Sequence, residues 1–218
     1  MSETADSHLL THAHLYACYM ITAKEDLAKS SFLEQLSTTV DGLQGNLRAL
    51  GSIARLLQTW TFEFDGIAQQ VAGSRLLTVL LEYLERHAYA VAYNQPNHVY
   101  LLARIAAILL HIQTEVLEWS AILRGCFSVL ACCPESNTKL RILYAKLALV
   151  ARDVETEELP GSTRDRLVYL LSTSTEPDEE RLLRQVLAKW QVHVAPRLRA
   201  TTAPPLPVSS VSTLLEWM

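Results

Sequence analysis

The run Pro96-Asn97-His98-Val99-Tyr100-Leu101-Leu102-Ala103-Arg104-Ile105-Ala106-Ala107-Ile108-Leu109 decides the fold. A helix beginning a few residues after Pro96 carries Leu102, Ile105 and Leu109 at helical spacing. The same arrangement returns after Pro134 and Pro177, 38 and 43 residues further along. Leu140, Leu143 and Leu147 follow Pro134 at the matching offsets, and Leu183, Val186 and Trp190 follow Pro177. Between these helices the pattern predicts partners over Thr114 to Cys132 and Ser162 to Ser172. A period near 40 with two helices per unit predicts stacked helical hairpins, because no hairpin can bury its own apolar face alone. Any amphipathic helix started at a fixed distance from a proline shares these offsets. The expected fold is therefore all-α, either a short right-handed α-solenoid of stacked hairpins or a compact helical bundle.

Working outward, Leu47, Leu50, Ala54, Leu57 and Trp60 predict a helix, with Gly51 inside it costing about 1 kcal/mol against alanine. Thr61 to Gly66 alternates like a strand but has no partner strand, and it reads as a connection. Ile67 to Ala72 reads as a short helix. After Gly73-Ser74 a long helix presents Leu77, Leu81, Leu84 and Ala88 on one side and Leu76, Leu80 and Tyr83 on the other, ending at Asn94-Gln95-Pro96-Asn97. Ser162-Thr163-Arg164-Asp165 and Thr175-Glu176-Pro177-Asp178 resemble capping boxes, and Asp178, Glu179 and Glu180 suit a positive helix N-terminus. The expected organisation is a helical pair over residues 1–42, a repeat-like domain over 43–194, a proline-rich linker over 195–210 and a short C-terminal helix over 211–218.

The paired helices, the period near 40 and the two-sided apolar helices from Val99 to Val150 resemble armadillo- and HEAT-type helical-repeat proteins over Leu43 to Val194. No proline kink in a first helix and no recurring buried polar pair accompanies the pattern. The resemblance implies a superhelical scaffold that binds other proteins.

Composition restricts the function further. With 218 residues, half of them hydrophobic and 19% charged, the chain is long enough to bury a large core without staples. A net charge of -4 creates no global field for polyanions. The acidic start Met1 to Asp6 lacks the features of a secretory signal, and Arg104, Glu115, Glu118 and Arg124 break the most apolar stretch before it could span a bilayer. Cys18, Cys126, Cys132 and Cys133 are few and unevenly placed, and no glycosylation sequon occurs. These features predict an intracellular protein of cytoplasm or nucleus with no membrane span.

No glycine-rich phosphate loop, dinucleotide fingerprint or nucleophile elbow is present. His8 and His12 lie one helical turn apart, with His14 beside them, but lack an acidic partner at metal-site spacing; the cysteines match no zinc pattern. Asp153, Glu155, Glu157 and Glu158 lack the spacing of a calcium loop and read as a solvated run. The expectation is a non-catalytic adaptor or complex subunit that uses no cofactor or metal and binds other proteins. Its candidate anchors are Trp60, Phe62, Phe64 and Trp119, joined by Leu214, Leu215 and Trp217 of a C-terminal segment resembling a helix-in-groove ligand. Trp119 also falls beside the Val116-Leu123 stripe, which suits the core. The alternative is a nucleic-acid or chromatin factor that uses Arg181, Arg184, Lys189, Arg197 and Arg199, with Trp190 among them.

Overall fold

The structure, a computed structural model, describes residues 46–63, 67–112, 119–151 and 159–191. Among them are eight α-helices and no strand: α1 (Leu47–Glu63), α2 (Ile67–Ala72), α3 (Arg75–His87), α4 (Pro96–His111), α5 (Trp119–Cys132), α6 (Thr138–Val150), α7 (Gly161–Thr173) and α8 (Pro177–Gln191). A 3-10 segment, Ala88–Tyr93, continues α3. The expected helical pair over residues 1–42, the linker over 195–210 and the short C-terminal helix over 211–218 lie outside the described residues.

Local chemistry sets several boundaries. The Asn46 side-chain oxygen accepts from the backbone nitrogens of Arg48 and Ala49, and the Ser74 hydroxyl accepts from that of Leu77, so α1 and α3 each start on a side-chain cap. Asn94, at φ 51°, ends the 3-10 segment in the left-handed region that asparagine tolerates better than most residues. Pro96 and Pro177 are themselves the first residues of α4 and α8, where a missing N–H costs nothing, whereas α6 starts four residues after Pro134.

The helices form two layers. In the first, α1, α4, α6 and α8 pack side by side in that order; in the second, α3 with its 3-10 extension packs on α5, and α5 on α7. Contacts between α3 and α4, α5 and α6, and α7 and α8 close three successive hairpins. All nine residues equivalent across the prolines are buried, from Leu102, Leu140 and Leu183 through Leu109, Leu147 and Trp190. Each buried aliphatic side chain stabilises the stack by roughly 1.5–3 kcal/mol before entropy is deducted.

Specific bonds fix the register of the first layer. The Tyr144 hydroxyl donates to the Leu102 carbonyl at 3.0 Å, and the Asn137 side-chain amide donates to that of Asn94 at 2.6 Å. Those partners are 42 and 43 residues apart, so α4 and α6 run parallel, one repeat out of step. Between α6 and α8, Arg141 pairs with Glu179 and the Lys189 ammonium donates to the carbonyls of Leu149 and Ala151, both at 2.7 Å, again in parallel. α1 joins the same way, since Arg104 donates to Gln58 at 2.7 Å and the Phe62 ring lies 4.7 Å from that of His111.

Three local expectations are corrected. Thr61, Phe62 and Glu63 belong to α1 and not to a connection, because the buried positions Trp60 and Thr61 carry the helical stripe past the apparent alternation. No side chain caps α7, which starts at Gly161 after Pro160; Thr163 sits inside the helix and donates to the Phe127 carbonyl at 3.4 Å, so the box at Ser162-Asp165 does not form. Ahead of α8 it is Ser174 and not Thr175 that works: its hydroxyl accepts from the Glu176 nitrogen at 3.3 Å and donates to Glu179 at 2.7 Å.

Candidate protein-binding surface

The sequence-predicted anchors divide by burial. Trp60 is 0% exposed and Trp119 6%, so both serve the core and offer no surface to a partner. Trp60 lies on the α1 stripe with Leu50, Leu57 and Ala54, a pattern that selects for enclosure before it selects for contact. Phe62 is half-buried against His111. Phe64, Leu214, Leu215 and Trp217 lie outside the described residues.

The basic residues of the alternative reading are engaged. Arg181 pairs with Asp178 at 3.0 Å and Arg184 with Glu180 at 2.6 Å, each within one turn of α8. Lys189 is half-buried, with its ammonium on carbonyls at the end of α6 and 5.1 Å from the centre of the Trp190 ring; burial lowers its pKa. It neutralises a helix C-terminus and is not presented to solvent as a phosphate contact. Trp190 is buried, edge-on to Phe127 at 5.4 Å. Arg197 and Arg199 lie outside the described residues.

What does reach solvent is a set of tyrosines at the end of the first hairpin. Tyr89, Tyr93 and Tyr100 are each more than half exposed, Tyr93 at 70%. Behind them a group of rings reaches Tyr89: the Tyr83 ring lies tilted 4.9 Å from His87 and stacked 6.1 Å from His98, and His87 lies 6.4 Å from Tyr89. The Tyr83 hydroxyl bonds the Nδ1 of His98. Burial, with a smaller contribution from Tyr89, pushes the Tyr83 pKa to about 12, while burial and then the nearby His87 lower that of His98. At neutral pH the pair is therefore a neutral hydrogen bond, and it braces the 3-10 segment that carries Tyr89 and Tyr93. Val168 and Tyr169 form a second exposed group on α7, where the Arg166 guanidinium lies 5.0 Å from the Tyr169 ring.

Sequence reasoning passed over these tyrosines because it looked for tryptophan and phenylalanine. A helical-wheel signal was present nonetheless: Asn97, Tyr100, Arg104 and His111 share the stripe of α4 opposite Leu102 and Leu109. The 3-10 geometry that exposes Tyr89 and Tyr93 left no such trace.

Among the described residues no three His, Cys, Asp or Glu side chains are grouped to hold a metal ion, and no helix is long and apolar enough to cross a membrane. Cys126 and Cys133 are buried; burial pushes the Cys133 thiol to about 12 and that of Cys126 higher still, so neither is a nucleophile at neutral pH. Comparison with protein-family models, curated proteins and solved structures finds no match for this chain.

Proposed function

We propose that this protein is a non-catalytic adaptor or complex subunit that binds other proteins on the surface of its hairpin stack. The supporting observation is the exposure of Tyr89, Tyr93 and Tyr100 at the end of the first hairpin, while Trp60, Phe127, Tyr144 and Trp190 are enclosed. Tyrosine supplies a large, stiff contact area with a polar tip, which suits a docking surface. The engagement of Arg181, Arg184 and Lys189 within the fold weighs the reading toward protein and away from nucleic acid. Affinity capture from cell extract tests it, with the Tyr89→Ser/Tyr93→Ser/Tyr100→Ser variant as comparison. Proteins enriched by the natural chain and lost with the variant are expected; if nothing is enriched over a matched control, the reading fails.

A further inference from the structure

Within that protein-binding reading, we propose that the outward face of α1, α4 and α6 docks an acidic protein segment that also carries aromatic or aliphatic side chains. The register makes the face. The 42-residue offset that joins Tyr144 to Leu102 also sets Lys146 level with Arg104, and Ile142 level with Tyr100. On the other side Arg104 donates to Gln58 of α1, and the Arg55 charge is close enough to add to the lowering of the Arg104 pKa that burial begins. Arg55, Arg104 and Lys146 thus form a row across three parallel helices. Neighbouring helices pack about 8–10 Å apart, which sets the spacing of the row. Tyr100 and Ile142 form an apolar row one turn earlier, the first exposed and the second half-buried.

Nothing on these helices balances the row. α4 and α6 contain no Asp or Glu, and α1 has only Glu63, its last residue. The opposite layer differs: there Arg75 and Arg86 meet Glu82, Arg124 meets Glu85 and Arg166 meets Glu135. Among the described residues Arg48, Arg55, Arg104 and Lys146 form no ion pair. In a chain of net charge -4, a one-sided cationic face is an asymmetry that attracts carboxylates. The apolar row favours a protein over a nucleic acid, since Ile142 and the half-buried Leu149 offer phosphates nothing but can cover an apolar side chain.

Fluorescence anisotropy of the full chain tests this with two labelled probes, a random Glu–Tyr copolymer and a single-stranded thymidine oligonucleotide of similar charge. The copolymer is expected to bind at least tenfold more tightly than the oligonucleotide. Arg48→Glu/Arg55→Glu/Lys146→Glu should weaken it at least tenfold, and the milder Arg55→Gln/Lys146→Gln variant several-fold with an unchanged melting curve. Arg75→Glu/Arg86→Glu on the opposite layer should leave affinity within twofold. The proposal is overturned if the copolymer does not bind, if reversal of charge on the α1–α4–α6 face has no more effect than on the other layer, or if the oligonucleotide binds more tightly. No cellular partner enters this measurement, so a failed capture leaves it standing; conversely, a partner captured equally by the charge-reversed chain upholds the adaptor reading and removes this one.

Discussion

Gly51 and Gly125 both interrupt helices, and the sequence gives no reason to treat them differently. A methyl group on Gly125 would meet the Cγ of Leu84 at 2.6 Å, whereas one on Gly51 would meet nothing within 4 Å. Gly125 is therefore the residue that lets α5 approach α3, and its missing side chain is a packing requirement. Gly125→Ala is expected to destabilise the fold by about 1–2 kcal/mol, because an overpacking cost of about 1–3 kcal/mol exceeds the gain in helix propensity of up to about 1 kcal/mol. Gly51→Ala, with the gain and no clash, should stabilise by about 0.5–1 kcal/mol. Denaturant titration of the two variants checks the opposite signs. Burial treats the described tryptophans alike: Trp60, Trp119 and Trp190 fall on or beside apolar stripes legible in the sequence, and all three are enclosed.

At the scale of elements, α6 and α8 meet through a buried ion pair that the residue pattern did not reveal. Glu179 reads from sequence as one of three acids that suit a helix N-terminus; in the structure it is enclosed and bound by Arg141 and Ser174. Each guanidinium nitrogen of Arg141 has a partner, since it donates also to the Pro134 carbonyl and, at 3.1 Å, to the Thr138 hydroxyl. The pair ties the first turn of α8 to the first turn of α6, and the bond to Pro134 adds the loop before α6. Glu179→Ala strands a buried guanidinium and should cost about 3–5 kcal/mol, while the double variant Arg141→Met/Glu179→Leu should recover most of that loss. Equal destabilisation of the single and double variants in urea would contradict this account. The helices themselves were largely legible, because 3.6-residue stripes survive any packing arrangement. Their ends were less so, since Pro160 and not Ser162 stands at the start of α7, and Ser174, which ends α7, makes the side-chain bonds ahead of α8 that were expected of Thr175.

For the whole molecule, the enclosed acids set an alkaline limit. Burial raises the pKa of Cys126, Cys133, Tyr83 and Tyr144 above their ordinary values of 9.0 and 10.0, so between roughly pH 9 and 12 the unfolded chain releases protons that the folded chain holds. The unfolded state then binds fewer protons, and stability falls as pH rises through this window. Lys189, lowered by burial, acts in the opposite sense just below 10.5, but it is one group against four. Urea midpoints should therefore drop from pH 8.5 to 10.5, and the drop should shrink in Cys126→Ala/Cys133→Ala; a flat profile would contradict the burial of these groups. The sequence by itself determined that the described chain is helical and which faces are apolar, because helix periodicity is written in the spacing of Leu, Ile and Val along one strand of residues. Only the tertiary structure decided which polar groups share a neighbourhood. Arg55, Arg104 and Lys146, or Arg141 and Glu179, are far apart in the chain, and their meeting depends on inter-helix register, which is fixed by long-range packing and hydrogen bonds that no local spacing encodes.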